Sequence, residues 1–106
     1  MDNILESTNS LPDNTTTIDI SNKQLVCLID LPRFTTLLTL NCKYNNLQYL
    51  PSLNKTLTYL DCSGNQLKYL PSLNINLEYL HCYDNQLTHL PPLNEKLKNL
   101  IYLKLR

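Results

Sequence analysis

Hydrophobic and polar residues recur along this chain with a period of twenty. Residues 37–56 read LLTLNCKYNNLQYLPSLNKT, residues 57–76 read LTYLDCSGNQLKYLPSLNIN, and residues 77–96 read LEYLHCYDNQLTHLPPLNEK. With each copy numbered from its first Leu as positions 1 to 20, Leu fills positions 1, 4, 11, 14 and 17 in all three. Cys fills position 6, Asn positions 9 and 18, and Pro position 15. A looser copy precedes them. Ile18, Ile20, Leu25, Leu28 and Leu31 hold positions 4, 6, 11, 14 and 17 of a unit starting at Thr15, with Lys23 where the later copies have Asn. Two extra residues around Pro32-Arg33-Phe34 lengthen that unit to 22. A fifth copy opens with Leu97 and Leu100 at positions 1 and 4, although Leu100, Leu103 and Leu105 also fit positions 1, 4 and 6. The expected organisation is a polar N-terminal segment, 1–14, followed by one repeat domain, 15–106. Its units are 15–36, 37–56, 57–76, 77–96 and a partial 97–106.

Positions 3 to 7 alternate outward, Leu, outward, Cys, outward. That is the period of a strand with one buried face. Two inward residues bury too little surface alone, so the copies must stack, each strand pairing in parallel with the next at about 4.8 Å. Positions 11, 14 and 17 line the return path and fill the interior from the other side. Pro at position 15 removes a donor and discourages a helix. Extended, polyproline-like or single-turn 3₁₀ segments are expected there. Asn45, Asn65 and Asn85 at position 9 close each strand. Their side chains bond backbone groups that would otherwise cost ~1–3 kcal/mol each.

The pattern Leu-x-x-Leu-x-Cys-x-x-Asn-x-Leu-x-x-Leu-Pro-x-Leu resembles that of leucine-rich repeats. A twenty-residue unit with Leu-Pro at positions 14 and 15 is similar to the short class found in secreted bacterial effectors. The DCSGNQL stretch at 61–67 also resembles repeats of giant viruses of amoebae and of AT-rich bacteria. The resemblance covers residues 15–106. It implies a leucine-rich-repeat solenoid, a right-handed superhelix of the α/β class that is mainly β, with a parallel concave sheet and little helix. It further implies a viral or bacterial origin and a protein partner, such as a host protein. Two departures stand out. The effector class often has Pro at position 18, where this chain has Asn54, Asn74 and Asn94. Neither the helical cap nor the ligase domain of those effectors is found here.

Composition and charge narrow the function. Leu takes 25 of 106 positions, Gly appears once, and Ala and Trp never, a bias that a repeat explains. Nine basic and nine acidic residues give a net charge of zero, which argues against a nucleic-acid partner. No apolar run approaches the ~18 residues of a membrane span, and the N-terminus lacks the basic and hydrophobic regions of a signal peptide. A cytoplasmic protein is expected, in the host cytosol for an effector or a viral protein. Residues 1–31 hold five acids and one Lys, net −4, whereas residues 96–106 are net +4. With the strand-like, uncapped Ile101-Tyr102-Leu103-Lys104-Leu105, this suggests weak self-association through the C-terminal edge.

Four cysteines invite a disulfide or metal reading. Cys42, Cys62 and Cys82 share position 6 and form an inward column, its outer members roughly 10 Å apart, so they cannot converge on one ion. There Cys is a small hydrophobe. Cys27, at position 13 of the loose copy, has no partner in register, and no close Cys-x-x-Cys pair exists. Reduced buried thiols fit a reducing compartment. His81 at position 5 neighbours Asp61, with Ser63 nearby, but a triad on a flat wet sheet has neither pocket nor oxyanion hole. His89 reads as a solvated turn residue. Asn14-Thr15-Thr16 and Asn54-Lys55-Thr56 are glycosylation acceptors only in a secreted chain. No cofactor, metal or enzymatic activity is expected.

The outward positions vary while the inward ones do not. Position 3 carries Thr39, Tyr59, Tyr79 and Asn99; position 5 carries Asn41, Asp61 and His81. Position 7 carries Lys43, Ser63 and Tyr83; position 8 carries Tyr44, Gly64 and Asp84. Tyr offers large contact area, few rotors and a polar tip, and Tyr44, Tyr59, Tyr79 and Tyr83 are expected to cluster. The partner face is therefore assigned to Asn41, Lys43, Tyr44, Tyr59, Asp61, Tyr79, His81, Tyr83 and Asp84. The expected function is non-enzymatic protein binding through the concave face. The alternatives are a recognition piece for a ubiquitin ligase whose catalytic part lies on another chain, and a decayed repeat protein without a specific partner.

Overall fold

A computed structural model of the protein describes residues 11–28 and 31–98. Asn99 and the Ile101–Leu105 edge lie outside the described residues. Four three-residue strands recur at the repeat spacing: β1 (Thr17–Asp19), β2 (Thr39–Asn41), β3 (Tyr59–Asp61) and β4 (Tyr79–His81). They form one parallel sheet in the order β1-β2-β3-β4. The register is that of the repeat: Ile18, Leu40, Leu60 and Leu80, all at position 4, stand opposite one another. Pairing continues beyond the strands, because the Cys42 amide donates to Asp61 O at 2.9 Å and the Tyr44 amide to Ser63 O at 2.9 Å.

The strands are short because the chain turns at position 8. Asn22, Tyr44, Gly64 and Asp84 all have φ between 56° and 68°, the left-handed region. Gly adopts it without penalty, whereas a bulky residue such as Tyr44 does so at a cost. Position 9 then locks the turn. Asn65 Nδ2 donates to Cys42 O, Cys62 O and Ser63 O at 3.2, 3.0 and 3.2 Å, and its Oδ1 accepts the Leu47 amide at 3.0 Å. Asn45 and Asn85 repeat the arrangement one unit earlier and one unit later.

The core is continuous through the stack. Positions 4, 6 and 11 are buried in all four units from 15 to 96, including Cys42, Cys62 and Cys82, and position 1 is buried at Leu37, Leu57 and Leu77. At roughly 1.5–3 kcal/mol per buried Leu, no single turn is stable without its neighbours. Position 17 departs from the expectation: Leu53, Leu73 and Leu93 are only partly buried and pack on the outside of the core. They follow the Pro of position 15, where the chain already runs over the convex surface.

That surface carries no regular helix over 47–54, 67–74 and 87–94. The lengthened part of the first unit begins with a single 3₁₀ turn, Leu31–Arg33, which places Phe34 fully inside the core. Arg33 stacks over the Phe34 ring at 4.2 Å and donates to Leu11 O and to Asp13 Oδ1 at 2.7 and 2.8 Å. The last unit differs again. Residues Glu95–Lys98 form one helical turn, α1, because Asn94 Oδ1 caps it by accepting the Leu97 amide at 2.8 Å and Glu95 sits favourably in its first turn.

Candidate functional site

Side chains at positions 3, 5, 7 and 8 of successive units fall side by side on the face of the sheet opposite the Leu and Cys columns. Register pairs Thr39 with Tyr59 and Tyr79, and Asn41 with Asp61 and His81. The Tyr59 ring lies 5.9 Å from that of Tyr79 and 5.6 Å from that of His81, both tilted. These three rings form one aromatic group across β3 and β4. A second group lies at the strand ends. Gly64 has room for no side chain, because an added Cβ would collide with Cδ1 of Tyr44. The Tyr44 ring thus lies across Gly64, with its hydroxyl hydrogen-bonded to Tyr83 two units away. Tyr83 raises the Tyr44 phenol above its usual 10.0, by electrostatic influence first and by the hydrogen bond second. Lys43 Nζ stands 5.9 Å from the centroid of the Tyr44 ring.

The four tyrosines expected to cluster therefore come together as two pairs, Tyr59–Tyr79 and Tyr44–Tyr83. Asn41, Lys43, Tyr59, His81 and Tyr83 are partly exposed, and Tyr44, Tyr79 and Asp84 are exposed. Asp61 and Ser63 depart from the expectation of an outward, accessible pair. Asp61 is 4% exposed and Ser63 0%. Strand alternation sets the direction of a side chain but not what its neighbours cover, and both lie between flanking repeats. Asp61 Oδ1 accepts the Ser63 amide at 3.1 Å, while Ser63 Oγ has no hydrogen-bond partner among the described residues. A hydroxyl not bonded to a base is not an activated nucleophile, so Asp61, Ser63 and His81 do not form a catalytic triad.

The thiols are equally unsuited to chemistry. Burial, with the charge of Asp61 adding to it, pushes Cys42 up to about 12 and Cys82 up to about 11. Burial raises Cys62 well above 9.0, with Cys42 and Cys82 contributing. Such thiols stay protonated and inert. All four cysteines are unpaired by disulfides, and Cys27 is half-buried. Among the described residues no group of three His, Cys, Asp or Glu is placed to hold a metal ion, and no helix is long and apolar enough to cross a membrane.

Two features escaped the sequence reading. Position 18 forms a second asparagine ladder: Asn54 Nδ2 donates to Leu31 O and Phe34 O, Asn74 to Asn54 O and Leu57 O, and Asn94 to Asn74 O and Leu77 O, all at 2.8–3.2 Å. Asn54 is thereby consumed as a structural donor. Tyr49 and Tyr69, at the same position 13 as His89, line an open groove with Gln48, Gln66, Lys68 and Gln86. The only signal for either was the repetition of the residue type at a fixed position.

One parallel strand per twenty residues, an inward Leu and Cys lining, an asparagine ladder and almost no helix define a leucine-rich-repeat solenoid. A protein of solved structure carries the same leucine-rich-repeat fold. The chain is similar to YopM from Yersinia enterocolitica WA-314, with a TM-score of 0.79 and 34% sequence identity over 89% of this chain. This chain spans 20% of the length of that one. No family model and no curated protein sequence matches it.

Proposed function

We propose that the protein is a non-enzymatic interaction module that binds a protein partner through the concave sheet face. The module begins at residue 15, and its contact residues are Asn41, Lys43, Tyr44, Tyr59, Tyr79, His81, Tyr83 and Asp84, with Asp61 buried beneath them. The observation that carries this reading is the row of rings formed by Tyr59, Tyr79 and His81 on a rigidly registered sheet. Aromatic side chains held in place by a scaffold lose little entropy on binding and supply most of the energy in interface centres. The similarity to an effector-class protein supports a host protein as the partner, and four cysteines without a disulfide support a reducing compartment such as the host cytosol.

The double variant Tyr59→Ala, Tyr79→Ala tests the reading. Affinity capture from lysate, quantified by mass spectrometry, is expected to recover a partner with the wild type and to lose it with the variant. Thermal stability should hardly change, because both rings stand outside the core. Equal recovery by both proteins would refute the concave face as the interface.

A further inference from the structure

We propose that Tyr44 is the anchor on which partner recognition depends, and that Gly64 and Tyr83 are the residues that position it. This rests on the concave-face reading and adds which residue of that face carries the binding and what chemistry it takes. Position 8 is where each turn enters the left-handed region. Three of its four occupants suit that backbone: Asn22 at φ 56°, Gly64 at 68° and Asp84 at 60°. Gly has no Cβ to clash, and Asn and Asp are enriched there. Tyr44, at φ 57°, is the exception.

A bulky residue in this region is held there against its local preference, and the fold gains little in return. The Tyr44 side chain stands outside the core and is 44% exposed. Backbone strain kept at an exposed ring, where the neighbouring units use better-suited residues, marks a binding position. The surroundings are arranged around that ring. Gly64, one unit on, has no side chain, and the ring occupies the space a Cβ would fill. Tyr83, two units on, raises the Tyr44 phenol by its electrostatic influence first and by their hydrogen bond second. A bond that favours the neutral phenol is one that the Tyr44 O–H donates, with the Tyr83 oxygen as acceptor. The ring is thus fixed along its edge and at its tip, and has little rotamer freedom left to lose on binding.

The charges nearby are of both signs. Lys43 Nζ stands 5.9 Å from the centroid of the ring, and Asp84 also acts on the phenol. They offset one another, so the anchor suits an uncharged group of the partner, laid on the ring and accepting from the Tyr83 O–H, which its bond with Tyr44 leaves able to donate. A backbone carbonyl or a side-chain carboxamide meets both conditions.

The test joins two measurements on the same variants: urea denaturation, and affinity capture from lysate quantified by mass spectrometry. Tyr44→Asn installs the residue that the first unit uses at this position. Its urea midpoint should be no lower than that of the wild type, while recovery of the partner falls about tenfold or more. Gly64→Asn suits the left-handed φ but fills the space under the ring, and Tyr83→Phe removes the acceptor. Both should lower recovery with Tyr44 intact, and both should bring its ionisation, followed by ultraviolet titration, back toward 10.0. Recovery by the wild type should survive about 0.5 M salt, where exposed charge pairs are screened. The proposal is overturned if Tyr44→Asn is less stable than the wild type, which would make the ring structural, or if it recovers as much protein. It is equally overturned if both positioning variants recover the partner undiminished, or if salt abolishes recovery. The concave-face reading fails separately: it falls when the Tyr59→Ala, Tyr79→Ala variant recovers the partner undiminished, and it stands when only Tyr44→Asn does so.

Discussion

Removing one asparagine of the position 9 ladder should cost very different amounts at two neighbouring units. Asn65 makes four hydrogen bonds, but three of the carbonyls it serves have a second donor. Cys42 O keeps Asn45, Cys62 O keeps Asn85, and Ser63 O keeps the Tyr44 amide. In Asn65→Ala only the Leu47 amide loses its acceptor. Asn45 is different. Its Oδ1 accepts two amides, Lys23 and Leu25, each at 2.9 Å, and its Nδ2 donates to Ile20 O at 3.0 Å. Among the described residues none of these three groups has another protein partner. At about 1–3 kcal/mol per orphaned buried group, Asn65→Ala should cost about 2 kcal/mol. Asn45→Ala should cost about 4 kcal/mol, less than three full penalties because the exposed Lys23 segment gains water. For a domain whose total stability is about 5–10 kcal/mol, the second variant stands near the edge of unfolding. Urea denaturation followed by far-UV circular dichroism, with the m-value checked for constancy, measures both. Equal losses in the two variants, or a greater loss at Asn65, would refute the accounting of shared and unshared partners.

Three further outcomes follow from the same geometry. Gly64→Ala should destabilise by about 1–2 kcal/mol for the left-handed φ of 68°, and by more because the new Cβ displaces the Tyr44 ring. Adding Tyr44→Ala should recover the steric part, read as a partial return of the urea midpoint. Stability should fall between pH 9 and about 12, because unfolded thiols release protons near 9.0 while folded Cys42 holds its own to about 12. By pH 11 Cys42 alone accounts for on the order of 2–3 kcal/mol, and Cys42→Val should flatten the slope. Ultraviolet titration of the tyrosines should show Tyr44 ionising above 10.0, with Tyr83→Phe moving it back down; no movement would remove the Tyr44–Tyr83 bond.

Much of the architecture was legible because a repeat multiplies weak signals. One Leu-x-Cys alternation is an ambiguous strand, but three in register dictate a parallel stack, and the asparagine at position 9 then has one use. The inward cysteines were legible for the same reason. What escaped depends on contacts between units. Position 18 was recognised only as a missing proline, yet Asn74 and Asn94 bridge successive turns through their amides. The left-handed bend at position 8 is announced by Gly64 alone, and Asn22, Tyr44 and Asp84 adopt it because the stack forces them to. The burial of Asp61 follows from its flanking units rather than from its own strand, which is why alternation alone placed it with the exposed residues. The helical turn at Glu95–Lys98 arises from a local cap, Asn94 followed by Glu95, inside a segment whose earlier copies read Asn-Lys and Asn-Ile and form only a single hydrogen-bonded turn, the Leu57 amide donating to Asn54 O and the Leu77 amide to Asn74 O.

The claim beneath all of this is that the position 6 side chains line a core shared between turns. Timed labelling of the native protein with a thiol reagent, with modified sites located by mass spectrometry, tests it most directly. Cys27, half-buried, should react while Cys42, Cys62 and Cys82 wait for unfolding and then react together as urea passes the midpoint. Modification of those three at the rate of Cys27 in the absence of denaturant would contradict the account.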